Sequence, residues 1–191
     1  MSANLNPILT TLFRRRSIRK FTDQPVDPET LTLLLQAGMA APSAVNSQPW
    51  EFIVVTDPQI LTRLRKHLPF AHHNAPAAIV VLGSPERARN TAGRLFWEQD
   101  CSAAMENMLI AAVGLRLGAV WVGLHPIGPF VKAVRTVLEI PDEVTPLGMM
   151  HVGYPAEEKP ARTQYDEYKV FWQHYEKRKR RAKIKNARLL P

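Results

Sequence analysis

The stretch from about residue 98 to 117, EQDCSAAMENMLIAAVGLRL, constrains the fold more than any other. Ala103, Ala104, Met108, Leu109, Ala111, Ala112 and Leu115 put small or apolar side chains on too many faces for a surface helix. The helix they predict is central and buried on most sides, with Gly118 as its stop. A chain of 191 residues with 46% hydrophobic content can bury one sizeable core. That core has limited interior for such a helix, so a partner subunit is the expected second cover.

The rest of the chain reads as mixed helix and strand around this element, with no internal repeat and no low-complexity linker. Asn6-Pro7, Asp27-Pro28 and Asp57-Pro58 each place a capping side chain before a first-turn proline, which opens three helices. The second, with Leu31, Leu34, Leu35 and Met39 at helical spacing, is expected to end at Pro42. WEFIVV at 50–55, AIVVLG at 78–83, AVWVGL at 119–124 and PLGMMHVGYP at 146–155 read as strands. PFVKAVRTVLEI is a further helix, and residues 165–175 mix aromatic and charged residues as a peripheral helix would. The expected organisation is one domain over 1–176 and a basic tail over 177–191.

Charge and cysteine usage exclude several classes of function. The formal charge of +8 belongs to the tail, whose 15 residues hold eight Lys or Arg and no acid. The remaining residues carry 17 bases, 25 less the tail's eight, against 17 acids. Without interleaved aromatics or a recognisable motif, such a tail reads as solvated before it reads as nucleic-acid or membrane binding. Cys101 stands alone, so neither an intrachain disulfide nor a multi-cysteine zinc site is expected, and no histidine has metal-ligand spacing. No apolar run spans a bilayer, and Asn4, Asn6 and Pro7 stand where a signal peptide would be basic and then apolar. A cytoplasmic protein is the expectation.

Two segments carry chemistry. In RRRSIRKF, residues 14–21, Arg14, Arg15, Arg16, Arg19 and Lys20 surround the hydroxyl of Ser17. Arginine forks match phosphate oxygens in pairs, so a phosphate seat is one reading; a solvated basic face at a helix end is the other. The segment APSAVNSQPWEF at 41–52, rich in small polar residues and prolines ahead of an apolar run, favours the first. No catalytic triad, paired carboxylates, reactive cysteine or dinucleotide-binding glycine motif is present.

Taken in order, RRRSIRKF, APSAVNSQPWEF, the alanine-rich helix running into GAVWVGLHP, and HVGYPAEEKP resemble the nitroreductase family of flavin mononucleotide enzymes over roughly residues 8–172. The resemblance implies an α+β fold, an antiparallel or mixed sheet flanked by helices, in an intertwined homodimer with two FMN at the subunit interface. Arg15, Ser17 and Arg19 match the pattern that holds the flavin phosphate and ribityl chain, with the backbone of Arg16 nearby. Pro42, Ser43, Ala44 and Asn46 match the loop that lines the flavin ring from the other subunit, Ala44 standing where a second serine is common. Trp121, Val122 and Gly123 match the strand end beside the ring, although the Trp121 side chain reads better as core packing.

The sequence departs from the family pattern at two places. Where two bases separated by one residue usually close over the phosphate, this chain has Arg162, Thr163 and Gln164, so Arg162 and Gln164 take those positions and one charge is lost. A lysine near the ring's pyrimidine edge is absent from LPFAHHNAP; His72 or His73 is the candidate substitute, against the plainer reading of solvent-facing loop histidines. The implied activity is ping-pong hydride transfer from NADH or NADPH through FMN to a nitroaromatic, quinone or related small acceptor, with no catalytic side chain because the flavin carries the chemistry. A flavin-binding module or sensor without turnover is the competing reading, and a basic nucleic-acid or membrane partner a third.

Overall fold

The central strand is AAIVVLG, without a polar side chain, and all seven of its residues are buried because helices cover the sheet on both faces. This computed structural model describes residues 6–88 and 90–176. The basic tail at 177–191 lies outside the described residues. Strands β1 (Trp50–Val55), β2 (Ala77–Gly83), β3 (Gly118–Gly123) and β4 (Thr145–Gly153) form one antiparallel sheet in the order β1-β2-β4-β3. The α+β expectation holds.

Alternation along the strands divides the core in two. Ala77, Ile79, Val81, Ala119, Met150 and Val152 face helices α2 (Pro28–Met39) and α4 (Thr91–Gly114). Ala78, Val80, Leu82, Val122 and Met149 face α3 (Pro58–His67) and α5 (Gly128–Leu138). Helix α1 (Pro7–Arg14) lies against α4. Its cap Asn6 accepts from Ile8 N at 2.8 Å, Asp27 accepts from Thr30 N at 2.7 Å, and Asp57 accepts from Gln59 N and Ile60 N at 2.7 and 3.0 Å. Each of these caps is worth about 1 kcal/mol to its helix.

The central helix differs from the sequence expectation at both ends. It begins at Thr91, capped by Asn90 Oδ1 accepting from Gly93 N at 2.9 Å, several residues before Glu98. The apolar pattern hides this start because Leu95 and Phe96 in the first turns are exposed. Nor does Gly118 stop it. Arg116 turns left-handed at φ 59°, and Leu117 N bonds back to Ala112 O at 2.7 Å, so the closure forms without glycine and Gly118 opens β3. Central burial is as expected, with Cys101, Ala104, Met105, Met108 and Ala112 fully enclosed.

Two smaller expectations fail. Helix α2 ends at Met39, before Pro42. Residues 165–175 form no peripheral helix but a single 3-10 turn, Glu167–Lys169, capped by Asp166. Left-handed backbone at Gln164 and Gln173 interrupts the segment on both sides, and Tyr165, Trp172 and Tyr175 are exposed, so no apolar stripe holds a longer helix down.

Candidate functional site

The basic segment leaves α1 and becomes extended, running along the free edge of β3. Ile18 N donates to Ala119 O at 2.9 Å, and Ser17 forms a parallel bridge with Ala119. On its other side lies the chain that follows β4: Thr22 N donates to Tyr154 O, Ala156 N to Lys20 O, and Arg162 N to Phe13 O, at 2.9, 2.9 and 3.0 Å. Residues 13–22 are therefore held between the sheet edge and residues 154–162. The turn at Asn74 supports them from below, its side chain accepting from Phe21 N at 3.0 Å and donating to Phe21 O at 2.6 Å.

These contacts sort the arginines. Arg15 Nε pairs with Glu106 Oε1 of α4 at 3.5 Å, the Arg16 guanidinium donates to the Pro160 carbonyl, and Arg19 N donates to Glu157 Oε1 at 2.6 Å. The Arg19 and Arg162 side chains are exposed. Lys159 Nζ donates to Ser17 O at 2.6 Å and pairs with Glu157 at 2.9 Å. The bond from Arg19 N, followed by the contact with Lys159, holds the Glu157 carboxyl below its usual range. Sequence reasoning missed Lys159 and Glu157; their signal was available in AEEKP, directly before the place where a second base was missing.

Beside this segment lies a groove of about 1060 Å³. Arg14, Arg15, Arg16, Arg116 and Lys159 supply its positive charge, and Ile18, Leu109, Val113 and Leu117 an apolar wall. Ser17 and Arg19 are not among its lining residues. Gln164, left-handed at φ 73°, lies on the exposed chain beyond Arg162.

Pro42, Ser43 and Ala44 line a second hollow with Phe96, Gln99, Asp100 and Ala103 of α4. The hollow meets α4 from Phe96 to Ala103, in its first half, and the basic groove meets it at Leu109 and Val113, toward its C-terminal end. The loop itself is unusual, because Val45, Asn46 and Gln48 all have positive φ, at 51°, 52° and 48°. Asp100 underlies it, accepting from Ala44 N at 2.9 Å and from Ser47 Oγ at 3.2 Å.

At the strand end, Val122 is buried toward α3 and α5, and Trp121 is half-buried against the α4 side of the core, as its packing reading expected. The indole lies over Gly148, where a Cβ would come within 2.4 Å of Nε1. A Cβ on the exposed Gly123 would meet nothing within 4 Å. Next to it His125 Nε2 pairs with Glu98 at 3.3 Å, and its ring meets the edge of Trp97.

The histidine expectations divide. His72 is exposed, but His73 is not a solvent-facing loop residue: its Nδ1 lies 3.1 Å from Nδ1 of His151, which is 1% exposed in β4. Burial, then His73 and Arg65, push the His151 imidazole down to about 3; burial followed by the Arg19 charge also lowers His73. Both rings are neutral at pH 7. Cys101 is a packing residue, its Sγ 3.6 Å from Leu82 O and its thiol pushed up to about 12 by burial and by Asp100. Among the described residues no cluster of His, Cys, Asp or Glu is placed to hold a metal, and no helix is long and apolar enough to cross a membrane.

Known proteins resemble this chain over most of its length. The model of the nitroreductase family matches residues 12–69 and 69–154. A protein of Archaeoglobus fulgidus, provisionally named NADH dehydrogenase/NAD(P)H nitroreductase, is 41% identical over 153 residues, 79% of this chain and 87% of that one. A solved structure from Parabacteroides distasonis with the same provisional name matches with a TM-score of 0.83 at 38% identity, covering 89% of this chain and 99% of that one. Another, a provisionally named nitroreductase from Desulfovibrio desulfuricans in complex with FMN, matches with a TM-score of 0.74 at 30% identity over 89% of this chain and 98% of that one.

Proposed function

This chain belongs to the nitroreductase family, and from that premise we propose that it is an FMN-dependent oxidoreductase using NADH or NADPH to reduce nitroaromatic, quinone or related acceptors. The observation that carries the reading is the basic segment held rigidly against residues 154–162. Cations outnumber carboxylates there, and an apolar wall lies beside them. An anionic cofactor with a flat aromatic ring suits that combination of charge and wall.

Arg15, Ser17, Arg19 and Arg162 would hold the phosphate. Arg16 and Lys159, which line the groove, would add positive charge, since each gives a donor to a backbone carbonyl (Pro160 and Ser17) and keeps further N–H donors. Lys159 also offsets the base missing at Gln164, which favours a working seat over a degenerate one. The backbone of Trp121 to Gly123 would lie beside the ring. Pro42, Ser43, Ala44 and Asn46 would come from a second copy of the chain, as the resemblance implies, since the protomer's own loop packs on Asp100 while the groove meets α4 nearer its C-terminal end. The chemistry bound FMN supplies is hydride transfer, from the nicotinamide in one half-reaction and to the acceptor in the next.

The test is direct. Without air, protein loaded with FMN should oxidise one NADH or NADPH per flavin on its own and turn over repeatedly once a quinone or nitroaromatic is added, with the parallel-line kinetics of alternating half-reactions. Failure to bind FMN would remove the reading. Binding without turnover would establish the sensor.

A further inference from the structure

A buried carboxylate is spent on a loop that has no evident need of it within one protomer. Asp100 is 6% exposed in the middle of α4, and both its oxygens are directed at the segment after Pro42: Oδ1 accepts from Ala44 N, Oδ2 from Ser47 Oγ. Ser43 Oγ closes the same turn by accepting from Gln48 N at 3.0 Å. Between these anchors the backbone is left-handed at Val45, Asn46 and Gln48, none of them glycine. For the β-branched Val45 this region is a true outlier, and such backbone persists only where its surroundings over-determine it. Yet Val45 is 76% exposed, so its side chain gains nothing from packing in return. The strained turn projects outward, beside an apolar hollow, with a buried acid holding its base.

We propose that Asp100 is a positioning residue for the flavin site of a second copy. It fixes the left-handed turn at residues 43–48 so that the loop reaches its neighbour's cofactor already in the bound conformation. The inference rests on the FMN reading above, including its loop from the second copy, and adds to it a residue outside the cofactor's contacts. Preorganisation of this kind removes the ordering cost that a flexible loop would meet on binding.

Three variants test it. In Asp100→Asn, the amide oxygen still accepts from Ala44 N and the amide nitrogen can donate to Ser47 Oγ. FMN affinity should stay within about threefold of wild type. Asp100→Leu keeps the branching of the side chain, with bulkier methyl groups in place of the oxygens, and takes the acceptor from both Ala44 N and Ser47 Oγ. We expect it to lose at least about tenfold in FMN affinity, the equivalent of one hydrogen bond to a charged group, with the bound flavin's visible spectrum changed. Were Asp100→Leu unable to fold, Ser47→Ala removes one of the two bonds alone and should weaken FMN about threefold or more.

The direction is tested by co-expressing Asp100→Leu with Arg15→Ala/Arg19→Ala under separate tags and isolating the mixed dimer. A loop serving its neighbour leaves one site intact, so the mixed dimer should carry one FMN at wild-type affinity while each parent binds FMN only weakly at both sites. A loop serving its own subunit leaves no intact site and gives an empty mixed dimer, which would overturn the proposal. Wild-type affinity in Asp100→Leu, or in Ser47→Ala where that variant decides, overturns it equally. Should the wild-type chain itself bind no FMN, the functional reading fails first, and that result is read before any variant is made.

Discussion

Arg15 and Arg19 differ from Arg16 in what the fold already asks of them. Arg16 is tied to the Pro160 carbonyl, whereas Arg19 contributes its backbone N–H to Glu157 and keeps its guanidinium exposed, and Arg15 meets Glu106 at a long 3.5 Å. Replacing both Arg15 and Arg19 with alanine should therefore release FMN without unfolding the domain. Two charge-assisted bonds at about 1.5–3 kcal/mol each imply a loss of two or more decades in affinity, readable by flavin fluorescence. Retention of FMN by the folded double variant would sink the assignment. His151 gives a second expectation at this scale. Its folded pKa of about 3 lies below the ordinary value of 6.5, so the unfolded chain takes up a proton first on acidification. Stability present above pH 6.5 is thus lost as pH falls toward 3, by up to about 1.4 kcal/mol per pH unit. Urea unfolding at pH 7.5 and 5.0 should differ by about 2 kcal/mol from this group, and His151→Leu should flatten that difference.

Among the elements, the pairing of β3 with β4 couples the fold to the site. Gly148 stands opposite Gly123, and the Trp121 indole occupies the space a side chain at 148 would need, with Nε1 at 2.4 Å and the Val122 carbonyl at 3.2 Å from a Cβ there. Backbone on one side and a half-buried ring on the other leave little room to relax. Gly148→Ala should destabilise the domain by about 1–3 kcal/mol, as overpacking does, and shift the Trp121 contribution to fluorescence. An unchanged unfolding midpoint would show that the indole swings freely. Helix α4 works on a longer span, carrying the basic groove toward its C-terminal end and Asp100 with the strained loop toward its middle. Its stiffness fixes their separation.

At the scale of the whole molecule, that separation and the exposed apolar residues lead to the same expectation. Ile8, Leu9 and Leu12 on α1, Leu95 and Phe96 on α4, and Trp172 and Tyr175 near the end of the described chain leave a good deal of large apolar surface uncovered in one copy. A second copy would cover it and deliver the loop to the groove. Light scattering at micromolar concentration should find a homodimer carrying two FMN. A monomer binding one FMN stoichiometrically would refute the shared site.

Much of the fold was legible because its signals are local. Asn6, Asp27 and Asp57 before their prolines mark helix starts by side-chain chemistry that acts within three residues, and the apolar run AIVVLG marks a strand. RRRSIRKF offered two readings for the same reason, an anion seat or a solvated basic face, since charge density along a chain is a property of the chain. What depends on neighbours distant in sequence was not legible. Arg116 closes α4 in place of a glycine because Leu117 is drawn into the core, and residues 165–175 stay unwound because no stripe secures them. His73 read as a solvent-facing loop residue until β4 brought His151 to it, across 78 positions. Lys159 behind Ser17, and Asp100 beneath Ala44, are likewise long-range polar contacts. Such partners are chosen by the packing of strands and helices, which brings together groups that nothing in their own surroundings marks as a pair.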